Sequence, residues 1–179
     1  MALLLTVGHS SRSLEELVRL LRDHLIATLI DVRRYAGSRR HPQFGMRRLA
    51  ERLIPEGTGY FHEPDLGGMR RALPDSPNNA LDDVFRGYAD HMQTPAFRAA
   101  FERVAGLARR ETIALMCAEA NPEHCHRRYL ADAFNAAGFE VRHITGPRRS
   151  VRHVRHPALR QLSDGQLVYR IAEQLPLFR

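Results

Sequence analysis

The segment 112–138, TIALMCAEANPEHCHRRYLADAFNAAG, decides how the chain is expected to fold. Thr112–Met116 is a short apolar run of the kind that forms a buried strand, and Cys117 stands at its end. A polar stretch follows, and Glu123–Ala137 has the spacing of a helix that Gly138 closes. The segment therefore predicts a strand, a loop rich in Cys, Glu, His and Arg, and a helix that packs back onto a sheet.

The same alternation of apolar runs and helical stretches extends along the rest of the chain. A helix is indicated over residues 14–24, where Ser13 and Glu16 form a capping box, and another from Thr94 onward. Further buried strands are indicated at Ala2–Val7, Ala27–Val32, Gly59–His62 and Phe139–Ile144. This alternation predicts an α/β fold with a mostly parallel open sheet flanked by helices.

The final part of the chain differs in composition, and three divisions are expected. Residues 1–146 form an α/β domain of catalytic type. Residues 147–173 contain a strongly basic segment and, around Asp164-Gly165, a small C-terminal β-hairpin. Residues 174–179 form a C-terminal peptide, or tail.

The charge of the chain favours a polyanionic partner. Its 27 basic residues are all Arg, against 20 acidic residues, and the net charge is +7. Coding bias in a GC-rich genome explains the choice of Arg over Lys, but it does not explain the excess of basic residues. Because Arg contacts phosphate through two hydrogen bonds and stacks on bases, DNA is the expected partner.

Composition also limits the class and the compartment of the protein. Hydrophobic residues make up 44% of the 179 residues, which is ordinary for a globular domain and argues against disorder along the whole chain. Apolar runs such as Leu3–Val7 are too short to span a membrane, and no secretion signal is found. The two cysteines do not form a disulfide framework. We therefore expect a cytoplasmic protein with no membrane partner.

Polar clusters follow three of the predicted strands. They are Gly8–Ser11, then Asp31–Arg34 with Ser38–Arg40, and Cys117–Arg128. Ligand sites in open α/β sheets lie at the carboxyl ends of the strands. We therefore expect the three clusters to converge on one site.

Cys117 and Glu119 are the first catalytic candidates. A Cys between a strand end and a helix start, with Arg nearby, is activated as a nucleophile, although a buried structural Cys is the alternative. Glu119 acts as a general acid or base if it is partly buried, and otherwise it is a solvated carboxylate or the partner of a nearby arginine. Asp31 and His9 complete the predicted catalytic set.

Cys117, His124, Cys125 and His126 also form a candidate zinc site, of which Cys117, Cys125 and His126 are the preferred ligands. Their spacing is not that of a standard zinc finger, and the pieces that resemble the zinc deaminase signature lie closer together here than in that signature. We therefore predict no cofactor and keep zinc as the alternative. His126 and Arg127, at the predicted start of a helix, suit an anion or an ion pair with a carboxylate.

Further candidates for substrate contact flank these clusters. A His at a strand end often only stabilises the structure, and an aromatic side chain at such a place is more often core than a stacking surface. Gly87–Met92 is interpreted as a lid. The predicted substrate-binding residues are Ser10, Arg33, Tyr60, His62, Tyr88, His126 and Arg127.

Six pieces of the chain, taken together, carry a family resemblance. They are Thr6–Ser10, Leu29–Arg33, Tyr60–His62, Leu66–Gly68, Gly87–Met92 and Cys117–Arg127. This combination resembles the domain-of-unknown-function family 488 (DUF488) over roughly residues 3–145. The resemblance implies a compact α/β domain whose site is made by these pieces, and it implies no particular reaction.

A weaker resemblance is to rhodanese-like domains, which carry Asp-Val-Arg at a strand end and a Cys that opens a loop before a helix. Asp31-Val32-Arg33 and Cys117 fit that pattern. The loop departs from it, because Glu119 and Glu123 are present and the first arginine after the cysteine is Arg127. Two carboxylates would repel a bound phosphate or persulfide, which argues against sulfur transfer and phosphatase chemistry.

Gln174-Leu175-Pro176-Leu177-Phe178 resembles the short peptide by which bacterial replication and repair proteins bind the sliding clamp. Leu177 and Phe178 would fill an apolar pocket, and Gln174 would make polar contacts. The alternative is that this segment packs on the protein's own core. The predicted partner-binding residues are Gln174, Leu175, Leu177 and Phe178.

These features together favour an enzyme that acts on DNA in repair or base processing. Glu119 would cleave the glycosidic bond of a modified base, which Tyr60, His62 or Tyr88 would hold. The predicted DNA-contacting residues are Arg34, Arg39, Arg40, Arg148 and Arg149. Two alternatives stay open: a Cys-dependent enzyme acting on a small anionic or sulfur substrate, and a non-enzymatic DNA-binding adaptor of the clamp.

Overall fold

The computed structural model describes residues 2–37 and 41–171. The strands are β1 (Leu3–Gly8), β2 (Thr28–Asp31), β3 (Gly59–His62), β4 (Ile113–Cys117), β5 (Glu140–Gly146), β6 (Arg149–Arg152), β7 (Leu159–Gln161) and β8 (Leu167–Tyr169). The α-helices are α1 (Leu14–Asp23), α2 (Met46–Leu53), α3 (Asp83–His91), α4 (Pro95–Ala108) and α5 (Arg127–Ala136). Short 3₁₀ helices occupy Pro42–Phe44, Ile54–Glu56, Pro64–Leu66 and Pro122–His124.

Six strands form one sheet in the order β3-β2-β4-β1-β5-β6, and β7 and β8 form a separate two-stranded sheet. The pairs among β1–β5 are parallel, while β6 runs antiparallel to β5. β4 is buried along its whole length, as expected for a central strand covered on both faces. The predicted α/β fold, with its mostly parallel open sheet and small C-terminal hairpin, is confirmed.

Helices cover both faces of this sheet. One face holds α1 and α2, whose buried Leu17 and Leu49 belong to the same core cluster as Leu5 of β1. The other face holds α3, α4 and α5 over Leu4. The neighbours Leu4 and Leu5 enter different cores because successive side chains of a strand point to opposite faces. Among residues 2–37 and 41–171, no helix is both long enough and apolar enough to cross a membrane.

Two helix starts predicted from capping patterns are confirmed. Ser13 Oγ accepts a hydrogen bond from Glu16 N, and the Glu16 carboxylate accepts one from Ser13 N, which completes the capping box of α1. Thr94 caps α4 by accepting a hydrogen bond from Phe97 N, and Pro95 stands in the first turn. Side-chain oxygens at these positions satisfy backbone donors that the helix leaves unpaired.

The segment interpreted as a lid is part of a packed helix, α3. Asp82 caps this helix by accepting a hydrogen bond from Phe85 N. Gly87 faces a neighbouring backbone so closely that an added Cβ would lie 2.2 Å from Arg70 O. The lid interpretation is therefore wrong, because α3 is held against the adjoining chain and buries Tyr88 completely.

The C-terminal hairpin packs against the α/β body. Tyr169 of β8 is fully buried, and its hydroxyl donates to Asp132 Oδ2 of α5 at 2.9 Å. Its backbone N donates to Asn78 Oδ1 at 2.9 Å. The predicted division at residue 146 falls at the turn between β5 and β6, so the following basic residues 149–152 belong to the main sheet.

Some predictions concern residues outside the described ranges. They concern Arg39, Arg40, Gln174, Leu175, Leu177 and Phe178. The expected DNA contacts of Arg39 and Arg40 stay predictions, and so do the expected clamp contacts of the four residues in the C-terminal peptide.

Candidate active site

Three strand ends meet at the carboxyl edge of the main sheet. Gly8 of β1 is in register with Cys117 of β4, and Asp31 of β2 is in register with Met116. The pairing continues past β1, since His9 N donates to Cys117 O at 3.0 Å. The described parts of the three polar clusters therefore converge as the parallel sheet predicts, and Ser38–Arg40 lie outside the described residues.

An open cavity of about 730 Å³ lies at this edge. It has the size of a pocket for a small molecule or for one extruded nucleotide. The predicted site residues in its lining are His9, Ser10, Arg33, Arg34, Tyr88, Cys117, Glu119, Cys125 and His126. Asp31, Tyr60, His62 and Arg127 lie outside the lining, and the next paragraphs give their roles.

The most chemically distinctive part of the lining is the Cys/His cluster, made of Cys117, Cys125 and His126. Both cysteines are free thiols, and each sulfur lies 3.7 Å from His126 Nδ1. The hydrogen bond between the two sulfurs lowers the pKa of Cys125, while the same bond, together with burial, raises the pKa of Cys117. The pair therefore forms one thiolate readily and resists forming a second.

His126 is held in one tautomer. Its Nε2 donates to Val32 O at 3.2 Å because a carbonyl only accepts, so in the neutral ring Nδ1 is the nitrogen that carries the lone pair, and it faces both sulfurs. Gly68 leaves the space beside this ring, since an added Cβ would lie 2.9 Å from His126 Nδ1. The ring of Tyr88 packs edge-on against the imidazole, with a centroid distance of 5.0 Å.

Arg127 holds the loop that carries Glu119. Its guanidinium is 1% exposed and donates to Thr6 Oγ1 at 3.2 Å and to Glu119 O. Gly8 allows the loop to cross the end of β1, because an added Cβ there would lie 1.9 Å from Glu119 O. The Nη1 and Nη2 donors of Arg127 thus serve the protein's own side-chain and backbone oxygens, while its buried Nε has no hydrogen-bond partner among the described residues. The predicted contact of Nη1 or Nη2 with an anion would need these donors to be released.

Asp31 and Arg33 form a buried ion pair beneath the cavity. Arg33 Nε and Nη2 donate to the two carboxylate oxygens of Asp31 at 2.8 and 2.5 Å. The same carboxylate accepts the Tyr60 hydroxyl at 2.7 Å, and burial and the nearby Asp31 raise the pKa of Tyr60. Arg33 also donates to Phe44 O at 2.8 Å. Asp31 therefore orients Arg33 and does not itself reach the cavity.

His9 is a neutral ring that packs between the ion pair and an aromatic side chain. It stacks on Phe44 with ring centroids 4.2 Å apart. Its Nδ1 donates to Ser10 O at 3.0 Å, and its Nε2 accepts from Arg33 Nη1 at 3.4 Å. Burial lowers the pKa of His9 to about 4. Ser10 adopts a φ of 47°, a left-handed conformation that is uncommon for a non-glycine residue and is often found at functional sites.

The three aromatic side chains predicted to hold a base have internal partners instead. Tyr88 is fully buried and its hydroxyl donates to Leu66 O at 2.9 Å. His62 Nε2 donates to Arg33 O at 2.8 Å, and Tyr60 contacts Asp31 as described. These side chains support the wall of the site, and none presents a free ring face to the cavity in the way a stacking surface requires.

The rim of the cavity was not predicted from the sequence. It is formed by Tyr35, His41, Met69, Val84 and Phe85, which come from four separate segments. Tyr35, Met69 and Val84 expose 62%, 72% and 61% of their surface. Only Tyr35 has a signal in the sequence, because it directly follows the Asp31–Arg34 cluster.

Glu119 and Arg34 are the charged side chains at the mouth. Glu119 is exposed, and its Oε1 accepts from Asn121 N at 3.4 Å. It is the only carboxylate among the described residues of the lining. Arg34 Nη1 donates to Met69 O at 2.6 Å, and its guanidinium lies 5.4 Å from the centroid of the Tyr35 ring.

Arg148 and Arg149 lie away from the cavity. They are exposed at the turn between β5 and β6. This turn adjoins the carboxyl end of α1, where His24 Nε2 donates to Gly146 O at 3.0 Å. The cavity adjoins the opposite end of α1, through residues 10–11. Neither arginine belongs to the lining of the cavity at whose mouth Arg34 lies.

Comparison with known protein families gives one match. The domain of unknown function DUF488 matches residues 13–134, a range that holds the Cys/His cluster and excludes Thr6–Ser10. No curated protein and no solved structure matches the chain. The weaker resemblance to rhodanese-like domains is therefore without support from these comparisons. Because the match covers more than half of the chain, the protein belongs to the DUF488 family.

Proposed function

We propose that the protein is an enzyme that hydrolyses a bond at a modified base of DNA, and that the base enters the cavity. The observation that carries this proposal is the lining of the cavity. Apolar and aromatic side chains form its rim, Glu119 stands at its mouth, and buried polar groups lie inside. Enzymes that process bases take them out of the stack into such a pocket.

The charge of the protein supports a nucleic acid substrate. The net charge is +7, and Arg34 is placed at the mouth together with Tyr35. Tyr35 offers a largely exposed ring on which a base can stack, and Arg34 offers a cation for phosphate. Arg148 and Arg149 would contact the DNA backbone farther along, beyond α1. Both cysteines are free thiols, which supports a reducing compartment such as the cytoplasm.

Cleavage of the glycosidic bond is the preferred reaction. Glu119 accepts a proton from a water molecule, whose oxygen forms a bond to C1′ of the sugar. The bond between C1′ and the base nitrogen breaks, its electron pair leaves with the base, and the base takes up the proton that Glu119 received from the water, which restores the carboxylate. Glu119 is exposed in the free protein, so this role requires that the bound base covers it; within the described lining it is the one carboxylate that a water at the mouth would meet.

The test compares two carboxylates of the same loop on a panel of modified oligonucleotides. Glu119→Gln should lower turnover at least about 100-fold while DNA binding is retained, because general bases contribute on that scale. Glu123→Gln is the matched control, since Glu123 pairs with Arg128 and lies outside the cavity lining. Turnover that survives in Glu119→Gln would rule out this mechanism.

Recruitment by the sliding clamp is the second element of the proposal. It rests on the peptide of residues 174–178, which carries Gln174, Leu175, Leu177 and Phe178. Deletion of residues 174–179 should abolish clamp binding and leave turnover on free oligonucleotides unchanged. Unchanged clamp affinity would remove this element. Clamp and DNA binding without turnover on any oligonucleotide would instead identify a non-enzymatic adaptor.

A second candidate function is a Cys-dependent enzyme that acts on a small anionic or sulfur substrate. Two free thiols in the cavity lining favour it. It predicts that Cys117→Ser abolishes turnover of the small substrate and that Cys117 is alkylated rapidly at neutral pH, an expectation that the raised pKa of Cys117 opposes. Slow alkylation of Cys117 in the native protein would argue against it.

A further inference from the structure

We infer that the Cys/His cluster binds a thiophilic divalent cation of the zinc class, with one coordination position open to the cavity. The three ligand atoms, Cys117 Sγ, Cys125 Sγ and His126 Nδ1, lie within 4.8 Å of one another. Two thiolates and one imidazole form a known ligand set for catalytic zinc, in which the fourth position holds water or substrate.

The distances in the cluster fit such an ion. With zinc–sulfur bonds of about 2.3 Å and zinc–nitrogen bonds of about 2.0 to 2.1 Å, a tetrahedral site places sulfur and nitrogen about 3.6 Å apart. The sulfur atoms of Cys117 and Cys125 are each 3.7 Å from His126 Nδ1. Both sulfur–nitrogen distances therefore already match those around a bound ion.

The surroundings of His126 point to a ligand as well. Donation from Nε2 to Val32 O selects the neutral tautomer whose lone pair is on Nδ1, and a backbone carbonyl in this role is common behind metal-binding histidines. Gly68 keeps the space next to Nδ1 free, since any Cβ there would lie 2.9 Å from this atom. These two observations are independent of the distances among the three ligand atoms.

The ligand types select the ion, and the cavity sets the open position. Thiolate and imidazole favour zinc over magnesium or calcium, which prefer oxygen ligands. All three residues line the cavity, although their exposure is only 9%, 4% and 8% for Cys117, Cys125 and His126. A water molecule bound at the open coordination position would have a lowered pKa, and Glu119 at the mouth of the same cavity would accept its proton. This catalytic meaning rests on the proposed function, whereas binding of the ion does not.

Metal content and cobalt substitution test the inference on the full-length protein without any substrate. Purified protein should contain about one zinc per chain, and Co²⁺ added to stripped protein should give the intense visible bands of tetrahedral cobalt and sulfur-to-cobalt charge transfer. Cys125→Ser and His126→Gln should each weaken binding at least about 100-fold. His124→Gln is the matched control, because His124 lines the cavity but does not belong to the cluster.

The outcomes separate this inference from the proposed function. Absence of both bands from wild-type protein whose thiols are reduced would overturn the inference, as would equal loss of binding in His124→Gln and His126→Gln. If a variant fails to fold, alkylation of the wild-type protein replaces it as the test, and added Zn²⁺ should protect both thiols from the alkylating reagent. Equal alkylation rates with and without Zn²⁺ would overturn the inference. Stoichiometric metal with no activity on DNA would support the site and contradict the proposed reaction.

Discussion

Two buried, histidine-containing clusters lie near β1, and they differ in where their hydrogen bonds go. One is the Cys/His cluster at the cavity. The other, which we call the closed network, consists of Thr6, His143, His153, Asp132 and Tyr169. The histidines of both clusters are less than 9% exposed. Burial alone therefore does not distinguish a candidate site from a structural network.

In the closed network every donor meets an acceptor inside the protein. Thr6 Oγ1 donates to His143 Nδ1 at 2.8 Å, and His143 Nε2 donates to His153 Nδ1 at 3.0 Å. His153 Nε2 donates to Asp132 Oδ1 at 2.8 Å, and the Tyr169 hydroxyl donates to Oδ2 at 2.9 Å. No ring nitrogen of these histidines keeps a lone pair for a ligand, so the network joins α5, β1, β5 and the hairpin.

In the Cys/His cluster only one of the two imidazole nitrogens is used by the backbone. His126 Nε2 donates to Val32 O, and Nδ1 faces Cys117 and Cys125 next to an open cavity. The comparison teaches that a ring nitrogen whose hydrogen-bond partners are two thiols, and not burial, marks the cluster that can take a ligand. Changes in the closed network should affect stability most, and changes around the cavity should affect binding most.

The largest effect is expected from Asp132→Ala. Asp132 is fully buried and accepts hydrogen bonds from His153, Tyr169 and His156 N. Removing it leaves buried donors without partners, and we expect a loss of about 3 to 5 kcal/mol in the free energy of unfolding. Guanidinium chloride denaturation measures this loss.

The control for Asp132→Ala is Cys125→Ala in the Cys/His cluster of the metal-free protein. Cys125 is similarly buried, at 4% exposure, but its truncation removes only one sulfur atom. We expect about 1 kcal/mol of destabilisation. Equal losses in the two variants would show that both clusters are structural, and the distinction would fail.

The next largest effect is a fall in stability on mild acidification. Burial lowers the pKa of His143 to about 4, as it does for His9. Below pH 6.5 these histidines bind protons in the unfolded chain but stay neutral in the folded protein. The free energy of unfolding therefore falls as the pH drops from 6.5 towards 4. Each histidine should remove on the order of 2 kcal/mol by pH 5. Denaturation curves at pH 7, 6 and 5 measure it.

The two histidines are distinguished by substitution. His9→Gln removes the contribution of the cavity histidine to the pH dependence of the free energy of unfolding, whereas His143→Gln removes the contribution of the histidine in the closed network. Each variant should show a flatter dependence of stability on pH than the wild type over this interval. If the free energy of unfolding depends on pH as steeply in both variants as in the wild type, groups other than these two histidines cause the loss of stability at low pH.

A smaller effect is expected from Gly68→Ala, which places a methyl group beside the Cys/His cluster. The added Cβ would lie 2.9 Å from His126 Nδ1, so we expect about tenfold weaker binding of Co²⁺. Gly106→Ala in α4 is the control, because its added Cβ meets nothing within 4 Å. Cobalt titration followed by absorbance measures both, and equal affinities would show that Gly68 does not shape the site.

The smallest effect is expected from Tyr35→Ala at the rim. Loss of this exposed ring should weaken binding of single-stranded DNA about fivefold, at the low end of base stacking energies, and should leave stability unchanged. Phe61→Ala is the control, since Phe61 is also exposed but lies outside the cavity lining. Fluorescence anisotropy with a labelled oligonucleotide compares the two, and an equal effect would remove the stacking role of Tyr35.

Local patterns in the sequence predict most of the sheet and several helix starts. The hydrogen bonds of the Ser13–Glu16 capping box and of the Thr94 cap join residues within a span of four positions, so a local pattern is enough to predict them. Helix α3 was not predicted, because its start could not be recognised after a loop rich in Gly and Pro. Convergence of the strand ends was predictable, because parallel strands bring their carboxyl ends to one edge whatever their order.

The partners of individual charged residues were not predictable. Arg33 and Arg127 look alike in the sequence as arginines near a site, and both turn out to be buried by internal partners. The rim residues come from segments whose approach depends on how α3 and the loops pack. Hydrogen bonds of this kind depend on side-chain positions that no local pattern specifies.

The sequence by itself determined the α/β class, the strand ends that meet at one edge, and the placing of Cys117, Cys125 and His126 near that edge. These features follow from periodicity and capping, which act over a few residues. Only the tertiary structure decided that His126 Nδ1 faces two sulfurs beside the cavity, while both ring nitrogens of His143 are paired with Thr6 and His153. That difference depends on contacts such as Thr6 with His143, which are 137 residues apart and form only when β1 and β5 pair in register.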